Sequence, residues 1–202
     1  MSIFKKKIEF SQFLADLITF QFDFLENNFY KLATLADEFK VLDEKDKEEF
    51  LDKAHELVIV DILMSCSQQF YNNLSSEEVG EAVSVIYSRY LTDYKKVSKS
   101  LAKKRLDSVM NLFEIVDEVE EDTQKRNDKN KKTGYKPPYE IDGEINKQKF
   151  YLCKGFSRYC VDDDIKSKNW EGKNFAAFKF AKAFVNTNIV NNMLKDYKII
   201  WG

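Results

Sequence analysis

Residues 43–65 read DEKDKEEFLDKAHELVIVDILMS. Two periodicities compete within them. Leu57-Val58-Ile59-Val60 is apolar at every position, which suits a buried strand. On either side the spacing is helical: Phe50, Leu51, Ala54, Leu57, Val58, Ile62 and Ser65 share one face. Glu44 and Asp46 fall in the first turn, where the positive end of the helix dipole favours acids. The flanking period decides for a helix starting near Asp43. Its four-residue apolar run places it in the middle of a core.

The same spacing extends outward in both directions. Phe10, Phe13, Leu14, Leu17, Ile18, Gln21, Phe24 and Leu25 predict a first helix over 10–29. Residues 30–39 form a short helix of their own or continue the first after a bend near Asn27 and Asn28. Ser75-Ser76-Glu77-Glu78 is a capping box, with Ser75 as cap and Glu78 at the third helical position. It opens a long segment through Val79, Val83, Tyr87, Tyr90, Tyr94 and Leu101. A stretch from Leu106 to Val116 continues that segment or follows a bend at 98–100. Two more helices are expected over 146–160, where Gly155 weakens the pattern, and over 172–197.

Between 123 and 138 apolar residues nearly vanish. That stretch reads as a flexible basic loop. Tyr139, Ile141, Asp142-Gly143 and Ile145 carry the signature of one minor β-hairpin near 139–145. The expected fold is all-α: an irregular multi-helix bundle of six to seven helices, in a single helical domain over 1–202.

Composition narrows the chemistry. The chain has 202 residues, with only 6 Gly and 2 Pro, too few turn-formers for a sandwich or barrel of many short strands. Its three cysteines, Cys66, Cys153 and Cys160, are odd in number and widely spaced, so they are expected to be reduced. Lys5, Lys6 and Lys7 are not followed by the apolar stretch of a signal segment. No apolar run approaches the ~18 residues of a membrane span. A cytoplasmic protein without a membrane span is the expectation.

His55 is the only histidine, so two-histidine metal motifs are absent and every histidine-paired nucleophile would have to use it. Asp162-Asp163-Asp164 fails the calcium-loop pattern, because Lys166 and Ser167 stand at its fifth and sixth positions. A start at Asp128 fails as well. No glycine-rich phosphate cradle exists. No catalytic residue, cofactor or metal ligand is assigned.

Charge is distributed unevenly. Residues 1–122 hold 15 basic and 25 acidic side chains; residues 123–202 hold 17 and 9. Inside the acidic part lies a basic stripe at 95–105, in which Lys95, Lys99 and Lys103 step by four and Arg105 follows. With Lys131 and Lys132 of the loop at 125–136, these are the candidate interaction residues. Asp61, inside an apolar run, and the line Tyr87, Tyr90 and Tyr94 are the candidate buried polar residues. The expected function is a non-catalytic protein-interaction or regulatory module with a protein partner. The alternatives are a nucleic-acid-associated protein using the stripe and loop, and a helical ligand-binding protein or enzyme with an aromatic-lined pocket.

Overall fold

The computed structural model describes residues 5–130, 146–161 and 170–201. In chain order they form β1 (Lys6–Glu9), α1 (Phe10–Ala33), α2 (Asp37–Lys40), α3 (Glu44–Phe70), α4 (Ser76–Arg89), a π-helical turn (Tyr90–Tyr94), α5 (Lys99–Asn130), α6 (Lys147–Val161), α7 (Trp170–Val185), α8 (Ile189–Asp196) and β2 (Tyr197–Ile200). The fold is all-α. The only sheet among the described residues is the parallel pair β1–β2, with Ile8 opposite Ile199.

Local chemistry explains where the helices start. Ser75 and Glu78 exchange both bonds of the capping box that opens α4. Asp43 Oδ1 accepts from the Asp46 N–H at 2.8 Å ahead of α3, and Asn146 Oδ1 from the Lys149 N–H at 2.9 Å ahead of α6. Each satisfies a backbone donor that the helix start would otherwise leave open.

Helix ends are served by lysines from elsewhere in the chain. The Lys53 ammonium of α3 reaches the carbonyls of Tyr159 and Cys160 at 3.4 and 3.3 Å, in the last turn of α6. Lys149 of α6 donates to the Val185 carbonyl, the last of α7, at 2.8 Å. Lys5 donates to the Leu194 carbonyl of α8 at 3.1 Å. A cation at a helix C-terminus meets both open carbonyls and the negative dipole end.

The chain divides into two compact units. Unit 1 holds 1–28, 58–109 and 188–202, and unit 2 holds 29–57 and 110–187. In unit 1, Phe10, Phe70 and Trp201 meet pairwise at 5.2–5.3 Å, while Phe13 turns an edge to Phe70 and to Tyr197. A second group there joins Phe22 to Tyr87 and Tyr90 at 5.7 and 5.0 Å. In unit 2, Phe50 is a hub. Its ring lies 6.1 Å from Phe29, 5.5 Å from Phe39, 5.9 Å from Phe156 and 5.3 Å from Phe180.

Two expectations need correction. The basic loop does not begin at 123, because α5 continues to Asn130. Buried Thr123 and the side-chain pairs Gln124–Glu120 and Lys125–Glu121 carry the helix through a segment poor in apolar residues. The remainder of that loop and the hairpin near 139–145 lie outside the described residues. The helix expected over 172–197 is broken at 186–188, where Asn188 takes a left-handed conformation with φ 53°. Asparagine tolerates that region better than most residues, and α8 and β2 follow it.

Candidate interaction groove

The residues singled out from sequence separate into two groups. Asp61 and Tyr87 are buried, as is Tyr90. Asp61 also presses on Cys66: burial first, and then the Asp61 charge, push that thiol up to about 12. Tyr94 does not belong among the buried polar residues, since it is 61% exposed. The cause is the π-helical turn. The Lys95 N–H bonds to the Tyr90 carbonyl at 3.0 Å, five residues back, and the Val97 N–H to the Leu91 carbonyl at 3.0 Å, six back. A wider turn carries Tyr94 off the face that Tyr87 and Tyr90 share.

The basic stripe is likewise not continuous. Lys95 lies beyond the π turn and before α5, and Lys96 is left-handed with φ 57°. Lys95 therefore does not share a helical face with Lys99 and Lys103, which are exposed in the first turns of α5. Arg105 is half-buried. Lys131 and Lys132 lie outside the described residues. Lys95 is already engaged: its ammonium sits 2.6 Å from a Glu26 carboxylate oxygen and about 6 Å above the rings of both Tyr90 and Tyr94. Partial burial works to lower the Lys95 pKa, but the Glu26 bond and Tyr90 outweigh it and hold the ammonium above its ordinary value.

What the structure does bring together is a groove of about 470 Å³ in unit 1. One wall is α1, through Ser11, Gln12, Ala15 and Thr19. The other is the end of α4 and the π turn, through Ile86, Arg89, Tyr90, Asp93 and Tyr94. Tyr94 stacks on Tyr90 with centroids 5.3 Å apart, so an aromatic shelf forms one lip. Gln12 is tied to Asp16 at 2.7 Å, and Asp93 accepts from the Thr92 hydroxyl at 3.0 Å. Arg89 is exposed and makes no ion pair among the described residues. With Lys95 held by Glu26, Arg89 is the cation this wall has to offer.

Sequence reasoning found the two tyrosines and offered Arg89 only as a partner for Asp61, not as their neighbour. Nothing in its spacing separates it from an ordinary surface arginine. Only the π turn, which is not legible in local sequence, sets it beside an exposed aromatic. Neither histidine nor cysteine lines the groove.

A second, much smaller void of about 20 Å³ lies in unit 2 against Asp46, Glu49, Phe50, Lys53, Cys160 and Lys173. That is room for about one water. Its charges are already matched: Lys173 to Asp46 at 2.9 Å and Lys53 to Glu49 at 3.0 Å. The Cys160 thiol beside them is pushed up strongly by burial, although Lys53 works against that. It is a structural ion cluster rather than a place for a ligand.

Among the described residues, no helix is long and apolar enough to cross a membrane. No family model, no curated protein and no solved structure matches this chain.

Proposed function

We propose that the chain is a non-catalytic protein-interaction module. Its docking site is the groove between α1 and the π turn. The occupant is a protein segment that offers an acidic side chain to Arg89 and an apolar or aromatic one to the Tyr90–Tyr94 shelf. The observation that carries this reading is the pairing of an exposed tyrosine with an arginine that has no ion-pair partner among the described residues, in an open groove of suitable volume. Tyrosine and arginine, with tryptophan, are enriched among the few residues that carry most of the binding energy at protein interfaces. π-turns recur at functional positions because they re-aim side chains at some cost in regularity.

Selection of peptides from a displayed random library against the folded chain tests the reading. Binders are expected to carry Asp or Glu near an apolar residue. Arg89→Ala and Tyr94→Ala are each expected to weaken them at least tenfold with the thermal midpoint unchanged. Binders indifferent to both substitutions overturn it.

A further inference from the structure

The β1–β2 ribbon breaks two local rules at once. A two-stranded sheet is marginal by itself, and this one places like charges face to face. Lys7 stands directly opposite Lys198 in the parallel register. Alternation sorts the side chains, with Lys6 as the exception, exposed although it pairs with Tyr197. Ile8 is buried, and Tyr197 and Ile199 are half-buried on the inner face; Lys7, Glu9, Lys198 and Ile200 are exposed on the outer one. Lys6, opposite Tyr197, lies 5.8 Å from that ring. Neither Lys7 nor Lys198 has an ion-pair partner among the described residues. Directly opposed like charges destabilise a sheet, so this pair costs the ribbon stability.

Among the described residues no strand pairs with the far edge of β2. Residues 197–200 make no backbone hydrogen bond other than those of the ladder among the described residues. In a two-stranded ladder one side of each strand is left without partners. Along β2 that side is bordered by Lys198 and Ile200, with Trp201 following. Along β1 it is bordered by Lys7 and Glu9.

We propose that the free edge of β2 takes up an extended, acidic peptide segment as a third strand. The main chain of the segment continues the ladder. A carboxylate on its outer face lies against Lys198, with Lys7 one strand further off adding to the positive field, and an apolar side chain two residues along lies beside Ile200. Charge selects both the occupant and the edge. Lysines on a sheet edge repel a second copy of the same basic edge and attract an acidic strand. Glu9 makes the β1 edge the poorer host for acid. A third strand also brings the ribbon to the size at which sheets hold themselves. This surface is separate from the groove and stands on different residues.

The probe is a blocked decapeptide of alternating valine and glutamate, added to the full chain labelled with ¹⁵N in low salt. The expected result is amide shifts and slowed hydrogen exchange confined to 197–200 and neighbouring β1. Binding should weaken steadily as salt is added. Lys198→Glu is expected to raise Kd at least tenfold and Lys7→Glu, one strand further from the peptide, by less; both positions are exposed, so the fold should tolerate them. The same decapeptide with every amide N-methylated keeps its charge but has no N–H to donate along either edge, and it is expected not to bind. Four results overturn the proposal: no shift at millimolar peptide, equal binding of a valine–lysine decapeptide, equal binding of the N-methylated form, or loss of binding in Arg89→Ala, which would place the peptide in the groove.

Discussion

Gly155 shows how one missing carbon sets a helix crossing. In unit 2 a Cβ at this position would lie 2.5 Å from Val116 Cγ2 and 3.0 Å from the Val116 Cα. Real carbons do not approach so closely, so α6 and α5 meet at a distance that only glycine permits. In the sequence Gly155 only weakens a helix; in the structure it is what lets the helix pack. Glu118–Arg158 at 2.9 Å and Glu120–Lys147 at 3.3 Å hold the same pair of helices from the outside. These exposed ion pairs contribute little beside the close contact. Gly155→Ala is expected to destabilise by about 1–3 kcal/mol through overpacking, despite the better helix propensity of alanine. Adding Val116→Ala, which removes the nearer clashing carbon, should recover part of that loss. Urea unfolding of the two single variants and the double variant measures the coupling.

At the scale of elements, caps are the features that can be read from local sequence and tested one at a time. The α4 box was legible because its partners are three residues apart. Glu78 is held below its ordinary value by the Ser75 N–H first and the Ser75 hydroxyl second. Its folded pKa is depressed, so its contribution to stability is complete above the unfolded value of 4.5 and is lost as pH falls through the lower folded one. Glu78→Gln should therefore flatten that part of the acid-unfolding profile, and Ser75→Ala should cost about 1 kcal/mol at neutral pH. The lysine caps have no local signature, because Lys149 and Val185 are 36 residues apart. Lys149→Met keeps most of the aliphatic stem and removes the ammonium from the end of α7. It is expected to lower stability by about 1–2 kcal/mol in thermal unfolding. The same distinction explains which elements were legible. α3 and α6 follow from spacing and nearby cap residues. The break at 186–188 and the π turn at Tyr90–Tyr94 do not, because each is a backbone choice that local propensity leaves open. The β1–β2 pairing joins residues more than 180 apart, and strands of four residues give no periodic signal. The groove was legible only in its tyrosines, because its geometry depends on that unread turn.

For the whole molecule, the buried thiols report on each core separately. Cys66 belongs to unit 1, and Cys153 and Cys160 belong to unit 2; all three are free and buried. A thiol reacts as thiolate and only when reagent reaches it. Burial denies access to all three and, for Cys66 and Cys160, pushes ionisation far above neutral pH. At pH 8 each should therefore label only when its own unit opens. Phe50 is the hub of the unit 2 ring cluster and is 4% exposed, so Phe50→Ala should cost about 3–5 kcal/mol. If opening and closing are fast relative to labelling, that cost raises the open population, and with it the labelling of Cys153 and Cys160, roughly a hundredfold or more. Trp201→Ala plays the corresponding part in unit 1 by removing the ring that bridges Phe10 and Phe70. Its effect should appear first at Cys66. It should also be smaller, because Trp201 is 36% exposed and loses less buried area. Mass spectrometry of peptides carrying each cysteine, sampled over time at constant pH, reads the three rates in one experiment. Equal acceleration of Cys66 in both variants would mean that the two cores open as one cooperative body.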